Sequence, residues 1–231
     1  MTLRVGFDMD GVVADFASAF HDIECDLFGA DTAHPPPNAP EEEKEQTPDR
    51  NTSPSVSKKT SDRRHRAVWD RIRATPDFWT TLKPTDPGAV RQLHAEMLRC
   101  GWEVVFITQR PSTAGETVQR QTQRWLVQQG FDMPSVVVIA GSRGAAINAL
   151  RLTHHVDDSP QNCVDVKTDS TAIPILIVRH PDDSAARQAR KLGMSVAASI
   201  GECLDLLVHA SESPRQSSVV GRLAALVNWS G

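Results

Sequence analysis

Two groups of acidic residues lie far apart in this chain. The stretch Val5-Gly6-Phe7-Asp8-Met9-Asp10-Gly11-Val12 sets Asp8 and Asp10 directly after an apolar run. Asp157 and Asp158 follow His154-His155-Val156. An Asp-Gly pair at the end of a strand is by itself a common turn. Ionised carboxylates placed together at the exit of a buried strand are different: they repel and desolvate badly unless a cation or a proton separates them. Three or four carboxylates on one edge call for a hard cation. Mg²⁺ suits a site of few carboxylates, waters and a substrate phosphate. Thr108, at the end of the apolar run 104–107, and Arg143, in the turn beyond Ala140, add a hydroxyl donor and a fixed positive charge. A phosphoryl group needs both.

The elements that must bring these residues together alternate between strand and helix. Continuous apolar runs at 103–108, 136–140 and 173–178 predict parallel strands covered on both faces, joined by a brief strand at 154–157 and a weaker one at 195–198. Helices are predicted over 14–28, from about 63 to Pro76, and from Pro87 to Gly101. Others follow over 114–129, 144–150, 182–192 and 201–210. This alternation predicts an α/β fold, a doubly wound (Rossmann-like) parallel sheet. In such sheets the chemistry gathers at the carboxyl ends of the strands, where Asp8, Asp10, Thr108, Asp157 and Asp158 all fall. His154 and His155 are neighbours on one strand and point to opposite faces, so they make a poor metal pair and read as strand residues.

Bulk properties exclude several classes. Hydrophobic content of 39% and charged content of 23% suit a globular protein, and a net charge of −4 gives no basic face for a nucleic-acid polymer. Cys25, Cys100, Cys163 and Cys203 lack metal or disulfide spacing and read as reduced thiols. No apolar run approaches the roughly 20 residues that cross a bilayer, so no membrane is expected and the cytoplasm is the expected location. No Gly-x-Gly-x-x-Gly or Walker loop is present. Between about 31 and 62 apolar side chains nearly vanish, and Pro35-Pro36-Pro37 and Glu41-Glu42-Glu43 stand out. Such a stretch buries too little to offset its ordering entropy and reads as disordered. Residues 211–218 read as a polar tail, with a short helix expected over 219–229.

The motifs resemble those of the haloacid dehalogenase (HAD) superfamily. Phe7-Asp8-Met9-Asp10-Gly11-Val12 is similar to its first motif, Ile107-Thr108 to its second, and Asp157-Asp158 to its fourth. The longer stretch to Phe16 looks like the 5'(3')-deoxyribonucleotidase branch. So do Phe78-Trp79-Thr80-Thr81-Leu82-Lys83-Pro84, Pro87-Gly88-Ala89 and Arg124-Trp125. The resemblance implies a nucleophilic Asp8 that forms an aspartyl-phosphate, and an Asp10 that protonates the leaving alcohol and then activates water. It implies Mg²⁺ held by Asp8, the Asp10 carbonyl and Asp157, with Asp158 in support. Thr108 and Gln109 would bind phosphate oxygens. The motif lysine is replaced by Arg143, which keeps the charge with a different shape. Gln109-Arg110-Pro111 departs from the branch's Ser-Pro, and Arg110 reads either as a substrate contact or as a solvated loop residue.

The resemblance also implies a core of 1–13 and 101–210, with a helical cap inserted over 14–100 after the first strand. Phe16, Trp69 and Trp79 would wall a pocket for a nucleobase, ordinary packing being the alternative. The expected partner is a small phosphomonoester, most readily a (deoxy)nucleoside monophosphate, and a homodimer is compatible with the sequence. A phosphatase for another small phosphometabolite, or a HAD-fold binding protein with impaired catalysis, are the competing readings.

Overall fold

The computed structural model describes residues 2–29, 56–179 and 184–212. Six strands form one all-parallel sheet: β1 (Arg4–Asp8), β2 (Glu103–Thr108), β3 (Ser135–Val138), β4 (His154–Asp157), β5 (Ile173–Ile177) and β6 (Ser195–Ala197). Their order is β3-β2-β1-β4-β5-β6. The helices are α1 (Phe16–Phe28), α2 (Val56–Ala74), α3 (Pro87–Cys100), α4 (Val118–Gln128), α5 (Arg143–Ala149), α6 (Pro160–Asp169), α7 (Ser184–Lys191) and α8 over 200–212. The expected doubly wound α/β architecture is what forms. The chain divides into two compact units, one of residues 1–7, 86–105 and 141–231, the other of residues 8–85 and 106–140. The boundaries run through β1 after Phe7 and through β2 after Val105.

In the first unit β1, β4, β5 and β6 pair in parallel, with Phe7 opposite Val156, Val156 opposite Ile175, and Ile175 opposite Ser195. Arg4 and Thr153 lock the strand starts: the Thr153 hydroxyl donates to the Arg4 carbonyl at 3.0 Å and accepts from the Arg4 amide at 3.1 Å. Helix α3 has its expected ends. The Asp86 carboxylate accepts from the amides of Gly88 and Ala89, Pro87 opens the first turn, and Gly101 closes it at φ 68°. Cys163, Leu176, Ala189 and Met194 form a buried cluster that ties α6 and α7 to β5. Helix α6 was not expected from the apolar pattern. Its start is nonetheless legible, since the Ser159 hydroxyl accepts from the Asn162 amide at 3.4 Å with Pro160 at the first position.

The second unit holds α1, α2, a 3-10 turn (Phe78–Thr80), α4 and β3. Its centre is aromatic: Phe16 packs on Trp69 at 5.4 Å and on Trp79 at 5.6 Å between ring centroids, and Phe106 meets Phe131 edge-on. The Trp125 indole N–H donates to the Leu82 carbonyl at 2.7 Å. Two expectations are corrected here. Helix α2 starts at Val56, inside the stretch whose composition reads as disordered. A helix anchored by buried Val68 and Ile72 propagates cheaply through Arg, Lys and Ser, because only its first turn is costly to form. Helix α4 begins at Val118 rather than 114, because residues 114–116 bond elsewhere. The Ala114 carbonyl accepts from the Asp77 amide, the Ala114 amide donates to Arg73, and the Glu116 amide donates to Asp77 Oδ1 at 2.8 Å. The remainder of the low-complexity stretch (31–55) and the helix expected over 219–229 lie outside the described residues.

Helices α5 and α6 approach so closely that a Cβ on Gly144 would strike the Asp165 carbonyl and the Asp169 side chain. Gly144→Ala should therefore lower stability by about 1–3 kcal/mol through forced separation of the two helices, read as a drop in the urea midpoint at unchanged slope. Burial pushes the Cys203 thiol far above its ordinary range. A thiol reagent at pH 8–9 should accordingly leave Cys203 unlabelled in the folded protein and modify it once urea unfolds the chain.

Candidate active site

Asp8 is the last residue of β1, and the backbone turns sharply beyond it. The Met9 carbonyl accepts from the amides of Val13 and Ala14, and the Gly11 amide, at φ 80°, donates to Ala14 at 2.9 Å. Met9, Val12 and Val13 are buried, which leaves Asp8 and Asp10 as the polar side chains of this turn, themselves 3% and 2% exposed. Asp15 then caps α1, accepting from the Ser18 amide and hydroxyl.

Asp10 faces Arg110. The guanidinium grips the carboxylate with both arms, Nε to Oδ2 at 2.8 Å and Nη2 to Oδ1 at 2.6 Å, and both side chains are buried. Arg110 Nη1 also donates to the Thr122 hydroxyl at 3.0 Å, and the guanidinium lies over the Trp79 ring at 4.7 Å. Arg110 is thus not a solvated loop residue, and the alternative of a direct substrate contact gives way to a carboxylate clamp. Its signal in the sequence, an Arg two residues past a strand end, said nothing of its partner 100 residues away. Thr108 ends β2 with 1% exposure, and its carbonyl accepts from the Ile139 amide at 2.9 Å; Gln109 is half-buried beside it.

In the other unit, Asp157 ends β4 fully buried. His155 Nε2 stands 3.0 Å from its Oδ2, and the Ser159 amide donates to Oδ1 at 2.9 Å. The Asn162 side-chain amide donates to both oxygens at 3.1 and 3.2 Å. Arg143 Nε, at the first position of α5, is 3.4 Å from Oδ2, and its side chain is 4% exposed. Burial pushes the Asp157 carboxyl up, but the His155 hydrogen bond and the Arg143 charge outweigh it and hold the group below the usual carboxylate range. Burial likewise drives His155 below the usual imidazole range. A neutral His155 that carries its proton on Nε2 donates to the ionised Asp157, which fixes the tautomer. His155 and Asn162 are the site residues that the sequence reading missed. His155 carries a signal, since it lies two residues before Asp157 and so on the same strand face. Asn162 sits on the helix that the apolar pattern did not reveal.

Strand β1 pairs with β4 as far as Phe7 opposite Val156, and Asp8 and Asp157 are the last residues of their strands. One oxygen from each of Asp8, Asp157 and Asp158 lies within 4.8 Å of the others, a group able to hold a metal ion. The set is all carboxylate oxygen, with no thiol or imidazole, which fits a hard divalent cation such as Mg²⁺ better than zinc. Asp10, expected as a ligand through its backbone carbonyl, is outside this side-chain group, and its carboxylate is engaged by Arg110. Phe16, Trp69 and Trp79, expected to wall a pocket, are 2%, 8% and 0% exposed and pack on one another.

No family model and no curated protein matches the sequence. Solved structures do match in fold. A candidate phosphoglycolate phosphatase from Lactobacillus delbrueckii subsp. bulgaricus superposes with a TM-score of 0.56 at 12% identity, covering 89% of this chain and 98% of that one. A phosphonoacetaldehyde hydrolase-like protein from Oleispira antarctica gives 0.55 at 12%, covering 91% and 93%. A HAD family hydrolase from Deinococcus radiodurans with bound phosphate and sodium gives 0.53 at 15%, covering 90% and 96%. The chain therefore has the fold of the HAD hydrolases, with an acidic cluster at the exits of β1 and β4.

Removing one partner of a buried ion pair leaves the other charge uncompensated. Asp10→Ala should destabilise the protein by about 3–5 kcal/mol. Asp10→Leu combined with Arg110→Met should recover most of that loss, measured by chemical denaturation.

Proposed function

We propose that this protein is a Mg²⁺-dependent phosphomonoesterase that works through an aspartyl-phosphate on Asp8. The observation that carries the reading is the group of Asp8, Asp157 and Asp158 carboxylates, able to hold a metal ion, in a HAD-type sheet. The phosphoester chemistry named for the fold neighbours supports it, as does the phosphate bound in the Deinococcus radiodurans hydrolase. Asp8, Asp157 and Asp158 would hold the cation, which when bound neutralises charge on the phosphoryl oxygens. Asp8 attacks phosphorus as the ester bond breaks, and a proton from Asp10 passes to the departing oxygen to give the alcohol. Water then attacks the aspartyl-phosphate, gives a proton back to Asp10, and releases phosphate with the Asp8 carboxylate restored. Thr108, Gln109 and Arg143 are the phosphate contacts in this reading.

The proposed substrate is a (deoxy)nucleoside monophosphate. The stretches that resemble the nucleotidase branch are adjacent in space: the Asp15 amide donates to the Lys83 carbonyl at 2.8 Å, Ala14 bridges to Pro84, and the Trp125 indole donates to Leu82. Purified protein with Mg²⁺ should release phosphate from dUMP or dTMP with a higher kcat/KM than from sugar phosphates. EDTA should stop turnover. Asp8→Asn should lower kcat by at least ~10³-fold without loss of the folded state, and full activity in that variant would refute the mechanism.

A further inference from the structure

We infer that Arg110 is a positioning residue for catalysis, fixing the Asp10 carboxylate in the orientation from which it exchanges a proton with the leaving oxygen. The inference rests on the roles proposed above for Asp8 and Asp10. Both oxygens of Asp10 accept from one rigid fork, so the carboxylate has a single orientation. An ionised carboxylate accepts about four hydrogen bonds. The fork takes one on each oxygen and thereby sets the direction of what remains.

Arg110 is itself immobilised. Thr122 holds Nη1, and the Trp79 ring covers the guanidinium face. Trp79 is anchored in turn, its indole N–H donating to the Pro111 carbonyl at 3.0 Å and its amide N–H to the Gln121 side chain at 3.1 Å. Phe16 packs on the same ring. The tie from Asp10 therefore runs through Arg110 to the aromatic centre of the unit, and Asp10, Arg110, Thr122, Trp79 and Phe16 are each no more than 4% exposed.

A purely structural ion pair would predict the same fold, so the test must read the proton step. Wild type, Arg110→Gln, Arg110→Lys and Asp10→Asn are compared on dUMP, whose alcohol must be protonated as it leaves, and on p-nitrophenyl phosphate, whose phenolate leaves without a proton. Single-turnover kinetics follow phosphoryl transfer to the enzyme. Arg110→Gln should slow that step on dUMP by ~10²-fold at little-changed KM, while the nitrophenolate burst stays within about fivefold of wild type. Adding Arg110→Gln to Asp10→Asn should produce no further loss. If Arg110→Gln does not fold, Arg110→Lys, which keeps the charge without the fork, should show the same separation of substrates at smaller amplitude. Equal slowing on both substrates, or no slowing on either, overturns the inference. A wild type that releases phosphate from neither substrate refutes the proposed function itself, and the positioning role falls with it.

Discussion

Repulsion between carboxylates at neighbouring strand ends is the constraint around which this protein is arranged. A parallel sheet brings equivalent ends of its strands to one edge; Asp8 and Asp157 end β1 and β4, and with Asp158 they are a group of carboxylates able to hold a metal ion. Concentrating negative charge there opposes folding unless something of opposite sign stands close. Within each unit an arginine meets that requirement: Arg110 grips Asp10 in one, and Arg143 stands beside Asp157 in the other. Both arginines are buried, and each is set by the first residues after a strand or at the start of a helix. A site for a divalent cation then needs little further construction, because the acids are already gathered and directed.

The two acids that face arginines are held differently. Asp10 has one partner with two arms, which fixes an orientation. Asp157 has a ring of donors, with His155, the Ser159 amide, Asn162 and Arg143 around its two oxygens. A carboxylate ringed by donors in this way is held ionised and fixed in orientation. Asp8, by contrast, belongs to the strand itself, as the last residue of β1.

Much of the fold was legible in the sequence. The limits of β2 match its apolar run residue for residue, because a strand covered on both faces admits almost no polar side chain, and those of β4 match the brief strand expected over 154–157. Caps were legible too: Asp86, Pro87 and Gly101 delimit α3 through purely local hydrogen bonds. Reading failed where local pattern and long-range bonding compete. Residues 114–116 look helical but are recruited by Asp77 and Arg73, and 56–62 look unstructured but continue a helix that is anchored farther along. Helix α6 escaped notice because its apolar residues are few, although Ser159 and Pro160 announce it.

By itself, then, the chain determined the kind of sheet and that Asp8, Thr108 and Asp157 would end its strands. Motif order, hydrophobic period and capping residues are local properties, and they suffice for that. Only the tertiary structure decided who partners whom. That Arg110 would close on Asp10 rather than on solvent, that His155 and Asn162 would surround Asp157, and that Phe16, Trp69 and Trp79 would be spent on one another are pairings between distant segments. Such contacts are selected by burial and by the need to satisfy every charge removed from water, and neither quantity exists until the chain has folded.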